Sequence, residues 1–88
     1  MTTREIPLSQ TTIETALWLI KASLMKKYGC DAADRIIEPL VWYISTGRAS
    51  TVFLRKLVNA KPFMVGRRLA AGGSTDEVVA RVKEFIKA

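Results

Sequence analysis

Six cations, Arg48, Arg55, Lys56, Lys61, Arg67 and Arg68, stand between Pro39 and Thr75 without one carboxylate among them. Guanidinium and ammonium groups at this density suit two tasks: they neutralise phosphates, and a guanidinium fork can address guanine edges in the major groove of duplex DNA. The excess is local. The 88 residues carry 14 Lys and Arg against 8 Asp and Glu, a net charge of +6, and outside residues 39–75 the eight acids balance the other eight bases. Such asymmetry points to a polyanionic partner, with solvated side chains on a basic protein as the bland alternative.

Other chemistries lack carriers. The chain has no histidine, its single cysteine, Cys30, has no evident base beside it, and no glycine-rich loop follows a strand, so the chain reads as non-enzymatic. Asp31, Asp34 and Glu38 share a helical face and would suit acid catalysis or metal binding; a helix cap and solvated side chains account for them more simply. No cofactor, metal or small-molecule substrate is expected. One cysteine cannot close an internal disulfide, which favours a reducing, cytoplasmic location. "MTTREIPLSQTT" lacks the apolar run of a signal peptide, and "ALWLIKASLM" is interrupted by Lys21 and too short to span a bilayer, so no membrane partner is expected.

The elements that must position the cations are legible as helices of one small domain over residues 1–88, since 49% apolar composition can support a core. Residues 1–10 read as an extended arm. Thr11 followed by Glu14 forms a capping-box signal, and Ile13, Ala16, Leu17, Ile20 and Leu24 line one face of a helix over 11–28 that Gly29 ends. Asp31 and Asp34 open a second helix over 32–46, with a break expected at Pro39. "LVWYI" at 40–44 would also suit a buried strand pairing with "REIPL", but the 3.6-residue period continuing from Ala33 favours helix. The C-terminal helix, 75–87 in a unit spanning 74–88, starts at Ser74 with Glu77 three residues on; its stripe of Val78, Val82, Phe85 and Ile86 serves either the domain's core or a dimer.

Between these lie two short helices, 50–58 and 62–71, which together make a helix-turn-helix over 50–71. Phe53, Leu54 and Leu57 form the inner side of the first, opposite Arg55 and with Lys56 at the boundary. Pro62 suits the first turn of the second, in which Val65 and Leu69 point inward and Gly66 permits a close approach between helices. The other face carries Lys61, Met64, Arg67, Arg68 and Ala71, a composition suited to guanine edges, phosphates and thymine methyls.

"DRIIEPLVWYISTGRASTVFLRKLVNAKPFMVGRRL", through "GRAS", "LRK" and "VGRRL", resembles the first three helices of the winged-helix (gamma) domain that ends bacterial septal DNA translocases. The resemblance covers roughly residues 34–69 and implies that Lys61, Met64, Arg67 and Arg68 face DNA. After Leu69 the chain departs from it, with "AAGGSTDEVV" and a helix in place of the hairpin wing, and the helix over 11–28 has no counterpart.

The resulting expectation is an all-α domain of four to five helices that binds double-stranded DNA as a transcriptional regulator or architectural factor. Arg48, Arg55, Lys56, Lys61, Met64, Arg67 and Arg68 form its DNA-binding set. A homodimer through the N-terminal or C-terminal helix stands as an option. The alternative is a small helical inhibitor or adaptor that sets the basic face on an acidic protein. Base-stacking aromatics are too few to favour RNA, although Trp18, at the edge of its helix's apolar stripe, would anchor a partner chain if exposed.

Overall fold

The computed structural model describes residues 8–88. Five helices follow in chain order: α1 (Gln10–Tyr28), α2 (Cys30–Ser45), α3 (Thr51–Asn59), α4 (Pro62–Ala70) and α5 (Thr75–Ile86). No strand is present among the described residues, so the fold is all-α as expected and "LVWYI" is helical. "REIPL" apart from Leu8, and most of the expected arm over residues 1–10, lie outside the described residues.

Local chemistry moves some boundaries. Ser9, not Thr11, caps α1: it has the extended backbone an N-cap requires, and its Oγ accepts the Thr12 N–H at 3.1 Å. Glu14 therefore makes no capping box and instead accepts from Gln10 Nε2 at 3.1 Å. A single residue, Gly29 at φ +89°, separates α1 from α2, a backbone that side chains beyond glycine rarely adopt. α2 starts at Cys30, with Asp31 in its first turn, where a carboxylate favours the helix dipole. The expected break at Pro39 does not occur. Proline withholds one backbone N–H, but Ile37 and Leu40 on either side of it are buried and hold α2 on the core. α5 carries the expected capping box between Ser74 and Glu77.

Apolar stripes from all five helices meet in one cluster: Ile20 and Leu24 of α1, Ala33, Ile37 and Leu40 of α2, Phe53 and Leu57 of α3, Val65 and Leu69 of α4, and Val78 and Val82 of α5. No polar or charged residue is buried among the described residues, so the core holds together by apolar burial alone. α1 packs along α2 and α4, α5 along α4 and α2, and α3 leans on α1 and α5. The backbones of α3 and α4 do not approach each other among the described residues. Gly66 accordingly serves a different contact from the one expected: a Cβ there would lie 3.2 Å from Leu24 Cδ2, so the glycine brings α4 against α1 rather than against α3.

Candidate nucleic-acid interface

α4 presents the site. With Val65, Gly66 and Leu69 buried, the helical period turns Phe63 and Arg67, one turn apart, directly outward, and Phe63 is 52% exposed. Lys61, at the N-cap position, is exposed and makes no side-chain cap bond. Met64 sits half-buried at the edge of this face. The side chains of Lys61 and Arg67 pair with no carboxylate among the described residues. Their charge therefore faces solvent uncompensated.

The remaining members of the expected set go elsewhere. Arg68 is half-buried and lays its guanidinium 4.3 Å from the centroid of the Phe85 ring, which turns it toward α5. Lys56 donates from Nζ to the Lys87 carbonyl at 2.6 Å and so joins α3 to the end of α5. Arg55 is half-buried on α3, in a hollow shared with Phe85 and Ile86. Arg48, exposed in the α2–α3 connection, stacks 5.0 Å over the Trp42 ring. The seven residues are thus not one face. Lys61, Met64 and Arg67 come together on α4, Arg48 stands apart, Arg55 lines the α3–α5 hollow, and Lys56 and Arg68 are engaged with α5.

Two contributors were missed in the sequence. Phe63 lies two residues from Val65 and four from Arg67, so the helical period places it opposite the buried stripe; its apolar character hid it. Arg81 of α5 donates to the Arg68 carbonyl at 2.8 Å and to the Gly72 carbonyl at 2.9 Å, a cationic fork on carbonyls that the end of α4 leaves without helical partners. Nothing in the local pattern around Arg81 signals this contact, because its acceptors lie 9 and 13 residues away. Arg81 fixes the far end of α4, and Gly66 against Leu24 fixes its middle. The outward face is therefore held on a rigid support.

The acidic residues of α2 act at the surface. Asp34 takes Lys21 Nζ at 2.6 Å, and this hydrogen bond, with the carboxylate's charge, raises the lysine pKa; both side chains are exposed, so the pair contributes little to stability. Among the described residues no group of three or more His, Cys, Asp or Glu is placed to hold a metal ion, and no helix is long and apolar enough to cross a membrane.

Fold and face together define a small all-α domain that carries an uncompensated basic surface on one short, firmly docked helix. The chain matches no family model, no curated protein and no solved structure.

Proposed function

We propose that this chain is a small non-enzymatic DNA-binding protein, a transcriptional regulator or architectural factor, that lays α4 in the major groove of duplex DNA. The observation that carries the reading is the outward face of α4, where Lys61, Phe63 and Arg67, with Met64 at the edge, stand in a segment without acids. Each suits one task. The Arg67 guanidinium matches the paired acceptors of a guanine edge, Phe63 and Met64 match thymine methyls, and Lys61 supplies a point charge for phosphate. The likeness to the winged-helix domain of septal translocases supports the same side of α4, with Arg68 at its flank. Arg48 and Arg55, earlier in the chain, fall to backbone contacts.

One observation favours a second reading. An exposed aromatic one helical turn from an arginine is the composition of a protein-binding hot spot, so Phe63 and Arg67 also suit an acidic protein surface. Binding curves on a selected duplex and on scrambled DNA separate the two. Arg67→Ala is expected to remove about 1–3 kcal/mol of discrimination at a preferred base pair. Lys61→Ala is expected to weaken both duplexes alike and to lower the salt dependence by about one phosphate. Equal losses on both duplexes for both variants would reduce the face to a non-specific basic patch. No loss for either variant would leave the protein-binding reading.

A further inference from the structure

Both tryptophans of this chain are at its surface, and neither lies on α4: Trp18 is 65% and Trp42 46% exposed. α1 and α2 line an open, shallow groove of about 390 Å³ with Leu17, Ile37 and Val41 in its floor and Trp18 at its side. Its rim carries Glu14, Asp34 and Glu38, against a single cation, Lys21, whose ammonium is already bonded to Asp34. In a chain of net charge +6, this groove is locally acidic. Glu38 also lines the adjoining hollow with Trp42, where Asp76 of α5 is the second acid and Arg48 the cation. The Trp42 ring already holds a cation, the Arg48 guanidinium; no cation covers the Trp18 ring among the described residues.

We infer that the α1–α2 groove docks a basic amphipathic helix of a partner protein, its apolar side chains on the groove floor and its Lys or Arg residues against Glu14, Glu38 and the Trp18 ring. Charge complementarity selects this occupant. A second copy pairing symmetrically through the same face would set each acidic rim against its like, and a nucleic acid would be repelled by it. A cation over tryptophan adds attraction that a purely apolar partner cannot supply. The surface differs in elements and in sign of charge from the α4 face, so it stands whether or not that face meets DNA.

The test uses the full chain and two synthetic helical peptides with the same leucine stripe, one with lysines and one with glutamates on the polar face. The lysine peptide is expected to bind at least about tenfold more tightly by fluorescence anisotropy, with amide shifts confined to α1 and α2. Trp18→Ala and the double reversal Glu14→Lys/Glu38→Lys are each expected to weaken it by about tenfold or more, with helical circular dichroism retained because all three side chains are exposed. Duplex binding should be unchanged in Trp18→Ala. Equal binding of both peptides, or affinity indifferent to the charge reversal, would overturn the inference. So would a homodimer, seen by light scattering, that Trp18→Ala dissociates, since it would assign the groove to a second copy.

Discussion

Glu77 holds the start of α5 from both sides of one small ring. Its carboxylate accepts the Ser74 N–H at 2.8 Å while its own N–H donates to Ser74 Oγ at 3.2 Å. The backbone bond from Ser74, and after it the Ser74 side chain, keeps the carboxyl pKa below the ordinary glutamate value. The sign follows from which form is bonded. The charged carboxylate is favoured only in the folded state, so its stabilisation is present at neutral pH and is lost as pH falls from the ordinary glutamate value through the lower folded one. In urea unfolding, the deficit of Glu77→Ala relative to the parent chain is therefore expected to shrink between neutral pH and about pH 3; a pH-independent difference would contradict it. Gly73 belongs to the same device. At φ +112°, a backbone that side chains rarely adopt, and with a Cβ site 2.9 Å from Glu77 Oε1, it leaves the carboxylate its place, and Gly73→Ala is expected to displace the carboxylate and bring its NMR titration midpoint back up. A midpoint unmoved by that substitution would show that the ring tolerates a Cβ.

Among the elements, α4 matters most, because its buried side fixes what its outer side presents. Leu69 is 2% exposed, in the cluster that α1, α2 and α5 share, and Leu69→Ala is expected to cost about 2–5 kcal/mol in chemical denaturation. A change within error would mean that α4 is not docked. Gly66→Val adds volume against Leu24, itself buried, and is expected to cost about 1–3 kcal/mol; an unchanged midpoint would mean that α1 yields freely there. These helices were readable in the sequence because each carries a 3.6-residue apolar stripe closed by serine, proline or glycine signals. What was not readable came from contacts distant in the chain. Gly66 announced a close approach but not its partner, and Pro39 announced a break that the burial of Ile37 and Leu40 overrides. The candidate site was legible in part: charge pattern singled out the segment and the helical period placed Lys61 and Arg67. The diversion of Lys56 and Arg68 to α5 depended on where Lys87 and Phe85 arrive, which no local pattern gives.

For the whole molecule, charge is segregated by surface. The acid-free segment leaves α4 cationic, while the α1–α2 hairpin turns an acidic rim and an exposed tryptophan outward, so one small domain offers two chemically opposite faces. The apolar stripe of α5 is committed to the domain's own core, with Val78, Val79 and Val82 buried. On the N-terminal helix the exposed apolar side chains are Trp18, Leu19, Met25 and Tyr28. Contact between the basic face and duplex DNA, as proposed, is measured by titrating the chain into labelled duplex DNA across a salt series. The phosphate contacts proposed for Arg48, Arg55 and Lys61 are about three, and counterion release then sets a slope of roughly −3 in log affinity against log salt. Such a slope, flattened by about one in Lys61→Ala, is the predicted result; no measurable affinity for duplex DNA at low salt would contradict it.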